Sequence, residues 1–100
     1  MTRRNIEILP AARVELDQIA GAYNDEVAGL GGEFLEAIER SLETLLEHPF
    51  SGPEHLAGTR RMLVARFPYS VVYRVTGERV VVVAIAHHRR RPGYWQSGPR

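Results

Sequence analysis

Apolar residues recur at helical spacing in the first half of the chain and predict two helices. The pattern places them over about residues 10–28 and 32–48, and Pro10 suits the first turn, where its missing N–H costs nothing. Polar and apolar residues alternate before Pro10, which predicts a strand over about residues 4–9. We expect the helices to form an antiparallel hairpin, since the turn between them is short. Three glycines are assigned to that turn: Gly29, Gly31 and Gly32.

The period of the pattern changes from about 3.6 to about 2 residues after residue 58 and predicts three strands. Their ranges are about 59–67, 69–75 and 79–87, with a hairpin turn between the last two. The third is apolar on both faces, which is typical of a central strand. The order β-α-α-β-β-β predicts one α+β domain over residues 1–100, in which the helical hairpin covers one face of an antiparallel sheet. Residues 88–100 form a C-terminal tail.

Charge is divided sharply between the two halves of the chain, although the formal net charge is only +1. Residues 1–58 hold four Arg and eleven Asp or Glu, a net charge of −7, whereas residues 59–100 hold nine Arg and one Glu, a net charge of +8. The chain has no lysine, and all thirteen of its Lys or Arg residues are arginine. The planar guanidinium of arginine suits phosphates and carboxylates. The division predicts a basic binding surface on an acidic scaffold, with a polyanion or an acidic protein segment as partner.

Several classes of site are excluded by what the 100 residues lack. There is no cysteine, which excludes disulfides, thiolate nucleophiles and cysteine-based zinc sites. The first thirty residues hold no apolar run typical of a signal peptide, and the longest apolar run, Val80–Ala86, is seven residues long, far short of a membrane span. Adjacent histidines on a strand diverge, and Glu78 is the only acid after residue 58, so we expect no metal or cofactor. A cytoplasmic protein without a membrane partner is predicted.

Arginines on the first strand of the predicted β-hairpin alternate between its two faces. Arg61 shares one face with Leu63 and Phe67, and Arg60 shares the other with Arg66. Arg60 and Arg66 line the open face of the sheet if the helices cover Leu63 and Phe67, and the sequence is also compatible with the opposite assignment. In either case we expect arginines from adjacent strands to converge into a concavity that fits a phosphate.

The segment AHHRRRPGYWQ, residues 86–96, adds further chemistry to this basic surface. His87 and His88 can transfer protons near neutral pH, and Tyr94 and Trp95 can stack on bases. With the arginines they supply what metal-free RNA cleavage by 2′-hydroxyl attack requires. The alternative is a basic docking patch in which Tyr94 and Trp95 fold back on the core. Two further histidines lie in or beside loops and are expected on the surface: His48 and His55.

Two motifs resemble those of a known protein family. The segment RFPYSVVY, residues 66–73, follows the pattern R-F-P-Y-x-V-x-Y, and HHRRRPGYW, residues 87–95, follows H-x-x-R-x-P-x-Y-W. With the order of elements over residues 5–95, they are similar to the RelE/ParE family of bacterial toxins, sometimes labelled plasmid stabilisation proteins. The resemblance implies the same compact α+β fold. It also implies a toxin–antitoxin complex in which an acidic segment of a small antitoxin wraps the basic surface.

The resemblance implies two alternative activities for a growth-arresting toxin. RelE-like members are ribosome-dependent endoribonucleases that cut mRNA, and ParE-like members act on DNA gyrase and need no ribonuclease site. The combination of His, Arg and Tyr slightly favours RNA cleavage, with a histidine as general base in place of the lysines of some RelE members. The residues implied as catalytic are His87, His88, Arg90 and Tyr94. Those implied as substrate-binding are Arg60, Arg61, Arg66, Arg89 and Trp95. A protein that has kept the fold and lost toxicity is a third possibility.

Overall fold

Two helices and four strands make up the computed structural model, which describes residues 5–96. The α+β class and the order β-α-α-β-β-β predicted from the sequence are confirmed. Residue 4 of the predicted first strand and residues 97–100 of the predicted tail lie outside the described residues. The elements are β1 (Asn5–Ile8), α1 (Pro10–Glu26), α2 (Leu30–Glu47), β2 (Arg60–Leu63), β3 (Tyr69–Thr76) and β4 (Arg79–His87), with single turns of 3-10 helix at Leu56–Gly58 and Tyr94–Gln96.

The sheet is mixed rather than wholly antiparallel, and its strand order is β1-β4-β3-β2. β4 pairs antiparallel with β3, and β3 pairs antiparallel with β2. β1 instead runs parallel to β4, with Asn5 opposite Arg79 and Ile8 opposite Val82. The prediction of an antiparallel sheet is therefore wrong for β1, because the helical hairpin is a crossover long enough to return the chain in the same direction. The apolar strand β4 lies between two neighbours, as predicted.

The helical hairpin covers one face of the sheet, and the main core lies between the two layers. Phe34 and Leu45 of α2 are buried there with Tyr73 of β3, and Val80 and Val82 of β4 complete the layer. Burying one such side chain contributes about 1.5–3 kcal/mol, so this layer is the main source of hydrophobic stabilisation. Neither helix in residues 5–96 is long and apolar enough to cross a membrane.

β2 is shorter than predicted, because the chain turns inward after Leu63. The predicted strand ran to residue 67, but only four residues pair with β3. Arg66 has a left-handed backbone, with a φ of +74°, and the N–H of Val64 donates to the carbonyl of Tyr69 across the turn. This turn carries Phe67 into the main core, whereas Leu63 stays 65% exposed. Strict alternation predicts that Leu63 and Phe67 share a face, and this prediction is wrong.

The turn between the helices lies two residues earlier than predicted, at residues 27–29 instead of 29–31, so two of the three glycines assigned to it belong to α2. Each helix boundary at this turn lies two residues before its predicted position. Gly29 takes the left-handed backbone, with a φ of +89°. Gly31 instead lies in the first turn of α2, close to α1, and its N–H donates to the side-chain oxygen of Asn24 at 2.8 Å. A Cβ on Gly31 would lie 2.3 Å from the carbonyl oxygen of Ala20.

Substitution of Gly31 by alanine should therefore destabilise the protein by about 1–3 kcal/mol, since the added methyl group meets backbone rather than a movable side chain. Gly32→Ala is the matched control, because its Cβ would meet nothing within 4 Å. Alanine also favours a helix over glycine by about 1 kcal/mol at such a position. Urea unfolding followed by far-UV circular dichroism measures both free energies of unfolding. Equal effects of the two substitutions would contradict this helix packing.

Candidate binding site on the open face of the sheet

The face of the sheet that the helices leave open carries a second, smaller apolar cluster. Val72 of β3 is buried in it with Val83 and Ala84 of β4, and Tyr94 and Trp95 pack against this cluster. An irregularity of the β3–β4 pairing beside Val72 brings Val83 and Ala84, neighbours in sequence, into the same cluster. Residues 88–96, the C-terminal segment, therefore fold back across this face, which we call the open face.

A small basic pocket lies between the open face and the C-terminal segment. Its volume is about 60 Å³, well below the ~300–1,000 Å³ of pockets that enclose drug-sized ligands. This pocket alone is therefore too small to enclose such a ligand. A second pocket, of about 300 Å³, adjoins it and shares His87, Arg90 and Tyr94 with it. The ionisable and hydroxyl side chains of the smaller pocket come from the loop before β2, from β2 and β3, from the end of β4 and from the C-terminal segment: His55, Arg61, Ser70, His87, His88, Arg90, Arg91 and Tyr94.

Of the three arginines predicted on the first hairpin strand, the structure places only Arg61 in this pocket. Arg61 is exposed on the open face. Arg60 lies opposite Tyr73 on the helix side, where its guanidinium donates to two loop carbonyls at 2.9 and 3.1 Å. Arg66 pairs with Glu33 of α2 at 3.0 Å, because the turn after β2 directs it there. Of the two assignments that the sequence allowed, the one that places Arg61 on the open face is therefore correct. Arg60 and Arg66 lie outside the pocket.

The two adjacent histidines contact different partners. The ring of His87 packs edge-on against Tyr69, with 5.0 Å between ring centres, and its Nδ1 accepts the N–H of Arg89 at 3.0 Å. Nε2 of His88 lies 3.2 Å from the hydroxyl of Ser70, which is buried on the open face. Within residues 5–96, no group of three or more His, Asp or Glu side chains is placed to hold a metal ion.

The hydroxyl of Tyr94 is bonded inside the protein. It donates to Oε2 of Glu15 on α1 at 2.5 Å, and the guanidinium of Arg90 lies 3.7 Å from the centre of its ring. Burial raises the pKa of Tyr94 above its ordinary value of 10.0, and the hydrogen bond and charge of Glu15 raise it further. The phenol is therefore protonated at neutral pH, and its ring supports Arg90 through a cation–π contact.

Three residues of the site were not predicted from the sequence. His55 was expected on the surface, but it is half-buried, with its ring centre 6.4 Å from that of Trp95. Burial, and then the charge of Arg61, lower the pKa of His55 below 6.5. Glu15 and Ser70 were missed because periodicity assigns a residue to a face of an element but does not predict a partner far along the chain. Glu15 meets the tyrosine hydroxyl across 79 positions.

Comparison with known proteins relates this chain to toxins. Residues 6–92 match the model of a family described as "ParE toxin of type II toxin-antitoxin system, parDE". A protein of Sinorhizobium fredii named "Putative toxin Y4kP" is 25% identical over 93 residues, which span 92% of this chain and 97% of that protein.

Two solved structures have a similar fold, each at 20% sequence identity. The chromosomal ParDE toxin–antitoxin system from P. aeruginosa gives a TM-score of 0.75 and covers 85% of this chain and 96% of its own. The RelBE2 toxin–antitoxin complex from Mycobacterium tuberculosis gives a TM-score of 0.57 and covers 86% of this chain and 99% of its own.

The raised pKa of Tyr94 predicts a loss of stability in alkali. Above pH 10 the unfolded chain loses the phenol proton while the folded protein still holds it. The stabilisation is complete below pH 10 and is lost as the pH rises through the higher folded pKa. Urea unfolding at several pH values from 8 upward should show a steeper fall for the native chain than for Tyr94→Phe. Parallel pH profiles for the two proteins would contradict the assigned hydrogen bond.

Proposed function

The chain belongs to the ParE toxin family of type II toxin–antitoxin systems, and we propose that it arrests growth by binding DNA gyrase through its open face. The observation that carries this proposal is the form of the site: a basic surface whose pocket against the sheet is only about 60 Å³ and whose tyrosine hydroxyl is bonded inside the protein. Such a surface suits contact with a macromolecule better than enclosure of a small substrate. Gyrase is the target implied for ParE-like members, and the family match over residues 6–92 supports that branch.

Three exposed arginines supply the charge available to a partner, namely Arg61, Arg89 and Arg91. Among residues 5–96, none of their guanidinium groups forms an ion pair, whereas Arg66 is held by Glu33. Guanidinium donors form strong bonds with carboxylates and phosphates. These three side chains are therefore the ones we assign to target contact.

The geometry gives less support to proton transfer. The hydroxyl of Tyr94 donates its hydrogen bond to Glu15, and the rings of His87 and His88 contact different parts of the sheet. Of the two histidines, only His87 lines the pocket of about 300 Å³ together with Arg90 and Tyr94. General acid–base catalysis requires groups that reach one reacting centre in a productive arrangement. A binding role needs no such arrangement, which is why we place it first although the sequence slightly favoured RNA cleavage.

An antitoxin with an acidic segment is the partner we propose for the open face. The ParDE and RelBE2 structures are those of a toxin–antitoxin system and a toxin–antitoxin complex. The surface described above offers arginine donors to carboxylates, and an acidic chain can gain charge-assisted hydrogen bonds as it folds there. Such a segment would cover the arginines assigned to target contact and so silence the toxin.

Ribosome-dependent mRNA cleavage is the second candidate, and one observation favours it. His88, Arg61 and Arg91 line the same pocket, so a proton-transfer group stands beside two cations that can bind a phosphate. In this candidate His87 or His88 acts as the base or acid, and Arg90 stabilises the charge of the transition state. Tyr94 would then position a nucleotide through its ring.

A gyrase supercoiling assay with the purified chain tests the first proposal. Arg61→Ala combined with Arg91→Ala should weaken inhibition about tenfold or more, because each hydrogen bond to a charged group contributes about 1.5–3 kcal/mol. Arg66→Ala is the matched control, since it removes an arginine from outside the pocket and should leave inhibition unchanged. Induction of the chain in cells should raise a DNA-damage response while mRNA stays intact.

Mapping of RNA 5′ ends in the same cells distinguishes the two candidates. New ends inside translated frames, lost when translation is blocked, would contradict the gyrase proposal and support cleavage. In that case His87→Ala combined with Arg90→Ala should abolish toxicity. Normal growth with a folded, expressed chain would exclude both activities.

Binding of an acidic peptide derived from the cognate antitoxin should depend strongly on salt. We expect the affinity to fall roughly tenfold or more between about 0.05 M and about 0.5 M salt, since the shared charges are exposed and screened by ions. Isothermal titration calorimetry at several salt concentrations measures how steeply the affinity falls with salt. We expect Arg61→Ala to make this dependence less steep. An affinity independent of salt would mean that apolar contacts, not arginines, hold the antitoxin.

A further inference from the structure

The outer edge of β4 is only half covered by its neighbour. β1 pairs with β4 from Arg79 to Val82. Just after β1, the N–H of Leu9 donates the last of these backbone hydrogen bonds to the carbonyl of Val82, at 3.0 Å. At Pro10 the chain leaves the sheet and begins α1. Among residues 5–96, no strand pairs with β4 on this side from Val83 to its end at residue 87.

A single carboxylate closes this part of the edge. Glu15, in the second turn of α1, accepts the N–H of Ile85 on Oε1 at 2.9 Å. Its other oxygen, Oε2, accepts the hydroxyl of Tyr94 at 2.5 Å, and that hydroxyl also lies 3.4 Å from the carbonyl of Ile85. Glu15 and Tyr94 thus occupy the place where the next residues of β1 would bond, and one side chain joins α1, β4 and the C-terminal segment.

The same tyrosine fixes the shape of the segment that carries the arginines. The guanidinium of Arg90 lies over its ring, at 3.7 Å from the centre. Gly93 turns the chain just before it, with a φ of +78°, and Trp95 follows it onto the open face. The near end of the segment is held by bonds from the N–H of His88 to the carbonyl of Pro68 and from the N–H of Arg90 to the carbonyl of His87. Tyr94 holds its far end against the edge of β4.

We propose that Glu15 is a positioning residue, which holds the C-terminal segment on the open face through Tyr94 and so places Arg89 and Arg91 for contact with the target. Its effect on the segment stands on the geometry alone, and its effect on target contact rests on the proposed function. Glu15 itself does not face the target.

A carboxylate suits this role because both of its oxygens accept. Glutamine has one acceptor oxygen, so Glu15→Gln keeps the bond from Ile85 or the bond from Tyr94, but not both in the same form. Alanine removes both. Tyr94→Phe removes only the hydroxyl and keeps the ring beneath Arg90. We therefore expect Glu15→Ala to open the segment most, and Glu15→Gln and Tyr94→Phe to open it less.

Trypsin cleavage and fluorescence measure the position of the segment without any target. The chain has one tryptophan, Trp95, so its emission reports the segment directly. Glu15→Ala should shift that emission to longer wavelength and raise cleavage after Arg89 and Arg90, located by mass spectrometry, by roughly fivefold or more, since cleavage follows the open population. Adding Tyr94→Phe to Glu15→Ala should give no further increase.

Asp17→Asn is the matched control, since it removes one exposed negative charge from the same helix and should leave both readouts unchanged. Equal cleavage and emission for Glu15→Ala and Asp17→Asn would overturn the proposal. If circular dichroism shows that Glu15→Ala does not fold, Tyr94→Phe carries the test, because it removes one oxygen atom. If Tyr94→Phe shows the same cleavage rate and the same Trp95 emission as the native chain, the proposal is overturned.

The gyrase assay then separates this inference from the proposed function. An open segment with weakened inhibition is the expected result. An open segment with full inhibition would overturn the assignment of target contact to the segment and leave its anchoring by Glu15 supported. If the native chain does not inhibit gyrase at all, the proposed function fails, while cleavage and fluorescence still decide whether Glu15 holds the segment.

Discussion

The difference in length between β1 and β4 is the constraint on which the rest of the structure depends. β1 ends at Ile8, whereas β4 continues for five residues beyond its pairing with β1 and keeps one edge exposed to other bonds. Backbone N–H and C=O groups at such an edge need partners. α1 supplies one through Glu15, and the C-terminal segment supplies the other through Tyr94. The C-terminal segment is thereby held on the open face with its arginines.

This arrangement separates much of the charge of the molecule in space as well as in sequence. Within residues 5–96, three arginines of the basic half instead form ion pairs with glutamates of the acidic half: Arg60, Arg66 and Arg79. The acidic half forms the helical hairpin, which covers one face of the sheet, and the basic half forms three strands and the C-terminal segment. A partner approaching the open face therefore meets guanidinium groups before it meets the carboxylates of the helices. Charge arranged in this way speeds encounter and selects acidic partners more than it adds affinity. One surface can then serve both a target and an antitoxin that silences it.

The sequence predicted the layers of the fold well and the site less well, for physical reasons. The helices and the interior position of β4 follow from apolar periodicity, which reports burial directly. The parallel pairing of β1 depends on a crossover rather than on local pattern. Arg66 was misplaced because the burial of Phe67 bends the chain out of the strand, and alternation holds only while a strand lasts. Glu15 and His55 acquire their roles from contacts that only the folded chain makes.

The most direct test of this account is hydrogen–deuterium exchange of the full chain with and without DNA gyrase. Amide exchange reports, segment by segment, where a partner covers or stabilises the backbone. The account predicts slower exchange in β2 and in residues 86–96 when gyrase is bound, and little change on the exposed faces of α1 and α2. Protection confined to the helices, or no protection anywhere with gyrase in excess, would contradict the central claim that the open face is the surface through which this toxin acts.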